Sequence, residues 1–130
     1  MNLDDLLASM PFAVHTGVTL TAAGPEETVG TLDWDDHRTT AGAAMHGGAV
    51  MTLADSVGAV CAFLNLPPGA MTSTTSSNAV FTRGVRGGTV TATARPLHVG
   101  RSTIAVSVEV RDDEGRLVAQ VTQSQAVLAD

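Results

Sequence analysis

Residues 48 to 64 make one long helical candidate that is apolar almost all the way round, broken only by Thr52, Asp55 and Ser56. A helix without a solvent face is stable only when other elements enclose it, so this run dictates much of what the rest of the chain must do. Pro67, Pro68 and Gly69 stop it and open a linker. The wider apolar stretch from 41 to 64 is interrupted by His46 and Asp55, which argues for a buried helix over a membrane span.

The material for an enclosure lies mostly downstream. From residue 71 the pattern changes to period two, with Val90, Ala92 and Ala94 alternating against Thr89, Thr91 and Thr93. Ile104, Val106, Val108 and Val110 share one face of a further strand, while Thr103, Ser107, Glu109 and Arg111 share the other. Asp112-Asp113-Glu114-Gly115 predicts a hairpin turn into a last strand from Arg116 to about Leu128. Upstream, Leu3, Leu6, Leu7 and Met10 at helical spacing predict a short helix stopped by Pro11. Val14 to Thr21 and Glu27 to Trp34 then read as two extended segments parted by Ala23-Gly24-Pro25. The expected order is short helix, two strands, long helix, four strands. An antiparallel sheet with one buried face needs a cover, so the architecture expected is α+β, an antiparallel β-sheet wrapped around a long central α-helix.

A chain of 130 residues buries one core and not two, which gives a single domain over 1–130. Hydrophobic residues at 44% with 15% charged exclude a disordered chain. The net charge is -6 and all seven basic residues are Arg, so no broad basic face offers itself to a nucleic acid. Cys61 is the only cysteine, which excludes an intramolecular disulfide and a cysteine-based metal cluster and fits a reducing cytoplasm. The start, MNLDDLLASM, is acidic and lacks the basic opening and apolar core of a secretory signal. A cytoplasmic location is expected, with neither nucleic acid nor membrane as partner.

Two features carry chemistry. Gly47 and Gly48 stand where the long helix begins, at unpaired N–H groups and the positive end of the helix dipole, a ready site for an oxyanion. Without a side chain, glycine lets that N–H approach a substrate carbonyl closely, although a glycine pair also serves any tight loop-to-helix turn. Asp55 is the only charge on the helix. A buried Asp is costly unless partnered, which marks it as functional unless it faces solvent at a subunit edge or bonds a nearby Ser or Thr. Eight residues separate Gly47 from Asp55, roughly 12 Å of helix. One reacting carbon needs contacts of about 3 Å, so a single site using both groups takes Asp55 from a second chain and requires at least a dimer. His15, His37 and His98 have no partner at a metal-binding spacing and are expected to be structural, as is Cys61.

The stretch His46-Gly47-Gly48-Ala49-Val50-Met51-Thr52-Leu53-Ala54-Asp55 resembles the HGGxxxxLxD signature of hotdog-fold acyl-CoA thioesterases of the phenylacetate-degradation (PaaI-like) type, within the wider 4-hydroxybenzoyl-CoA thioesterase superfamily. Met10-Pro11-Phe12-Ala13, Asn78-Ala79-Val80-Phe81-Thr82-Arg83 with Gly87-Gly88, Leu97-His98-Val99-Gly100-Arg101 and Asp113 to Ala119 extend the resemblance over nearly the whole chain. It implies a hotdog fold and a hydrolase without cofactor or metal, CoA being part of the substrate. It also implies that the Gly47 N–H polarises the thioester carbonyl and that Asp55 of a neighbouring subunit activates water or attacks directly. His46 would shape the carbonyl pocket and Thr74 would assist the carboxylate. Gly48, Asn78 and Thr40 would lie along the substrate, Thr40 standing where family members often carry Asn. An acidic protein needs local cations for the anionic head of CoA, and Arg83, Arg86 and Arg101 are the candidates.

The activity expected is hydrolysis of an aryl- or short-to-medium-chain acyl-CoA to the free acid and CoA by a homo-oligomer, a dimer at minimum and, as the resemblance implies, a dimer of dimers. The alternative is a non-catalytic hotdog module that binds acyl-CoA or acyl-carrier thioesters, which the loss of Asn at position 40 would fit.

Overall fold

The computed structural model describes residues 2–129. The chain opens with α1 (Leu3–Ala8), capped by Asn2, whose side chain accepts from the Asp5 N–H at 2.8 Å. Pro11 does stop this helix, and it also begins another, α2 (Pro11–Thr16). Proline lacks only the N–H that a first helical residue leaves unpaired, and its φ is already helical. Gly17, at φ 105°, closes α2 by donating to the Ala13 and Val14 carbonyls. The extended segment expected over Val14 to Thr21 is therefore halved, and only β1 (Thr19–Ala22) remains of it.

The other elements follow the periodicity. They are β2 (Thr28–Asp33), two 3-10 turns over Asp36–Arg38 and Ala41–Ala43, α3 (Gly47–Phe63), β3 (Met71–Phe81), β4 (Thr89–Val99), β5 (Thr103–Arg111) and β6 (Leu117–Leu128). The six strands form one sheet in the order β1-β2-β4-β5-β6-β3, and every neighbouring pair is antiparallel. The β5–β6 hairpin turns where Asp112 to Gly115 predicts it, with Gly115 at φ 77°.

The sheet curls around α3, which packs on β2 to β6. Leu53, Val57 and Cys61 meet Val90, Ala92 and Ala94 of β4 and Ile104, Val106, Val108 and Val110 of β5, all fully buried. Burial of each such Val, Leu or Ile is worth about 1.5–3 kcal/mol. Gly30 and Gly58 let backbone and helix come close: a β-carbon at Gly30 would stand 2.7 Å from Val57 Cγ2, and one at Gly58 would stand 2.7 Å from Gln123 Oε1.

The two edges of the sheet differ. β1 has four residues and a register shift at Leu20/Ala22, which makes it a poor template for pairing. β3 is eleven residues long, none of them buried, and carries Met71, Val80 and Phe81 in the open. Among the described residues no helix is long and apolar enough to cross a membrane.

Candidate active site

His46 is the N-cap of α3. Its backbone is extended (φ -60°, ψ 134°), its carbonyl accepts from Ala49 N and Val50 N, and its Nδ1 accepts from Gly48 N–H at 2.8 Å. The ring folds back over residue 48, where a β-carbon would stand 2.9 Å from Nδ1, so the cap itself requires Gly48. With Nδ1 an acceptor, the neutral ring carries its proton on Nε2, a donor on an exposed side chain. The Gly48 N–H expected along the substrate is thus spent on the cap, whereas the Gly47 N–H has no partner among the described residues. The loop leading in is pinned by His46 N–H on the Arg38 carbonyl at 2.8 Å and Met45 N–H on the Val85 carbonyl at 2.7 Å.

Asp55 is exposed, the solvent-facing alternative that the sequence left open. α3 is not enclosed all round: between α2 and β3 a strip of the helix stays open and forms a groove of about 610 Å³. Met10, Phe12, Met51 and Ala59 give it apolar walls, and Asp55, Ser56 and Ser77 its polar groups. Gln123 Nε2 donates to Asp55 Oδ1. A second groove, of about 360 Å³, adjoins the first along Phe12 and Thr52 and takes in His46, with His15, His37 and Arg38 at its rim. The three histidines of that groove are far apart in sequence, yet no group of His, Cys, Asp or Glu among the described residues is arranged to hold a metal.

The remaining sequence candidates divide. Thr74 is not on Asp55: its hydroxyl accepts from Gln125 Nε2 at 2.8 Å. Asn78 pairs with Thr122, and Ala79 with the buried Val121, so Asn78 lies on the face of the sheet turned away from α3 and from Asp55. Thr40 starts the Ala41–Ala43 turn beside the His46 loop, and its hydroxyl bonds nothing among the described residues. Arg83 and Arg86 follow β3, with Arg86 Nε donating to the Gly42 carbonyl at 3.2 Å. Arg101 sits in the β4–β5 turn, at the far end of the eleven-residue β4, about 35 Å away at strand rise. One chain cannot bring the three arginines to one CoA.

Three residues of the site escaped the sequence reading. Phe12 borders both grooves, because Pro11 begins a second helix that was not expected there. Phe81 lies against Gly47. Gln123 could have been found, since alternation from the apolar Val121 puts it on the core side of its strand, where a polar residue is unexpected.

An antiparallel sheet wrapped on one long helix, with a free N–H at the helix start and a carboxylate two turns on, has the architecture of a hotdog-fold protein. The sequence profile of the thioesterase superfamily matches residues 42–119. A Haemophilus influenzae protein assigned as an esterase is 30% identical over 125 residues, covering 95% of this chain and 90% of that protein. The proofreading thioesterase EntH of Cronobacter sakazakii is 28% identical over 114 residues, 88% of this chain and 83% of that one. The crystal structure of a thioesterase from Haemophilus influenzae superposes with a TM-score of 0.92 at 27% identity, over 99% of this chain and 92% of that one. Matches to relatives from Vibrio cholerae and Deinococcus radiodurans span 49% and 63% of those proteins. The chain belongs to the thioesterase superfamily. Family and relatives together support thioester hydrolysis as its chemistry.

Proposed function

We propose that the protein is an acyl-CoA thioesterase that releases CoA from an aryl or short-to-medium acyl group. The observation that carries this reading is the position of Asp55, the one charged group in the wall of a largely apolar groove. An acyl chain gains from the apolar wall, and the carboxylate supplies a base or a nucleophile beside it.

The thioester carbonyl binds at the start of α3, where the Gly47 N–H and the helix dipole stabilise the negative charge that develops on oxygen. Because Gly47 and Asp55 of one chain are roughly 12 Å apart along the helix, the carboxylate comes from the partner subunit. The long, unburied edge of β3 offers the place where two chains pair. Dimers assemble further into a dimer of dimers, and Arg83 and Arg86 meet the phosphates of CoA, with Arg101 contributed by another chain. The reaction needs no cofactor, and the enzyme works in the cytoplasm.

The test is thiol release over a panel of acyl-CoAs. Wild type is expected to release thiol, and Asp55→Asn to fall by at least about 100-fold, the range of a lost general base or nucleophile. No release above background from any member of the panel would replace the hydrolase with a module that only binds thioesters.

A further inference from the structure

β6 carries two glutamines on the face that packs against α3, and both are buried, Gln123 completely and Gln125 to 1% exposure. Apolar residues are the default at such positions, and a buried carboxamide persists only where its groups are bonded. Here the bonds form a chain with a direction. Gln125 Nε2 has two protons and two acceptors, Thr74 Oγ1 at 2.8 Å and Gln123 Oε1 at 2.9 Å. Its Oε1 lies 3.1 Å from Thr72 Oγ1, whose one hydroxyl proton also faces the Ala126 carbonyl at 2.9 Å. The Thr hydroxyls can donate or accept, so it is the Asp55 carboxylate, an acceptor only, that sets the direction of the chain. Gln123 turns its nitrogen to Asp55 and donates to Oδ1, and its Oε1 then accepts from Gln125. Gly58 makes room for this, since a β-carbon there would lie 2.7 Å from Gln123 Oε1.

We infer that Gln123 is a positioning residue for the Asp55 carboxylate, and that Gln125, bonded to the Thr74 hydroxyl of β3, braces Gln123 in that position. The inference rests on the hydrolase reading, and it gives Thr74 a role through two amides. One carboxylate oxygen is tied down and the other is left for water or substrate in the groove. A carboxylate on an open strip of helix would otherwise turn about χ1 and χ2, and catalysis is sensitive to misplacement of that size. The chain also links the site to the edge strand, because its far end stands on β3.

The experiment compares Gln123→Met, which keeps the side-chain length and removes the donor, in wild-type and Asp55→Asn backgrounds. Expected is a roughly 10- to 100-fold fall in kcat, the scale of one hydrogen bond to a charged group, with KM within about two-fold and no further loss on Asp55→Asn. Gln125→Met, which leaves the donor but frees its other end, gives the same pattern at smaller amplitude. Independently of turnover, the side-chain amide signal of Gln123 in an ¹⁵N spectrum moves on Asp55→Asn. Unchanged kcat in both variants, an equal loss on both backgrounds, or an amide signal indifferent to Asp55 each overturns the inference. Absence of thiol release by wild type would sink the hydrolase reading instead, and the amide signal would then decide alone whether Gln123 holds Asp55.

Discussion

The ring of Phe81, at the end of β3, lies over Gly47 at the start of α3, where a β-carbon would stand 3.4 Å from its Cζ. That is ordinary contact, so the ring walls the helix start without excluding a side chain from it. The N–H of Gly47 and the ring together make a half-apolar mouth at the positive end of α3.

This geometry allows the N–H to be deleted without breaking the helix. Gly47 is the first helical residue, where proline is favoured, and His46 already has the extended backbone that proline demands of its predecessor. Gly47→Pro is expected to fold with a Tm close to wild type and to lose about 10²–10³ in kcat, the usual cost of one oxyanion donor. Circular dichroism and the thiol-release assay check the two halves. A folded Gly47→Pro with wild-type kcat would remove Gly47 from the mechanism.

The two-chain site predicts complementation. Asp55→Asn and Gly47→Pro are each inactive alone, but a mixed dimer pairs the intact Gly47 of one chain with the intact Asp55 of the other. Refolded as an equal mixture, the variants should recover roughly a quarter of wild-type activity, since half the dimers are mixed and each holds one intact site. A mixture as inactive as its components, shown by mass analysis to contain mixed dimers, would put both groups in one chain or in separate roles.

Cys61 is fully buried in the core, and burial pushes its thiol pKa up, against a smaller opposing contribution from Thr28. The sign follows from linkage. The neutral thiol stabilises the fold fully below the pKa of the unfolded chain, and that contribution is lost as pH rises through the higher folded value. Denaturation midpoints should accordingly fall at alkaline pH, and Cys61→Ala should flatten that fall. The native protein is expected to be inert to thiol reagents at pH 8 and to show one reactive thiol per chain on unfolding, which stopped-flow titration measures.

Much of this is legible in the sequence. The period-two runs over residues 89 to 94 and 103 to 111 are strands, the hairpin turns at Asp112 to Gly115, and the apolar run begins and ends within a residue of α3. These features are local, set by which neighbours share a face. Pro11 misled because the same residue can end one helix or begin the next, and the choice depends on whether Ala13 has a core to enter. The candidate site divided in the same way.

What the sequence alone determined is the helix that must be enclosed, the strands able to enclose it, and the spacing that forbids Gly47 and Asp55 from acting together in one chain. Tertiary structure decided which face of that helix stays open, and with it that Asp55 borders a groove and is not a buried charge. It also decided that Thr74 meets Asp55 only through Gln125 and Gln123, and that Arg101 stands apart from Arg83 and Arg86. Residues far apart in the chain meet only once the strand order and register exist, and no local pattern encodes that order.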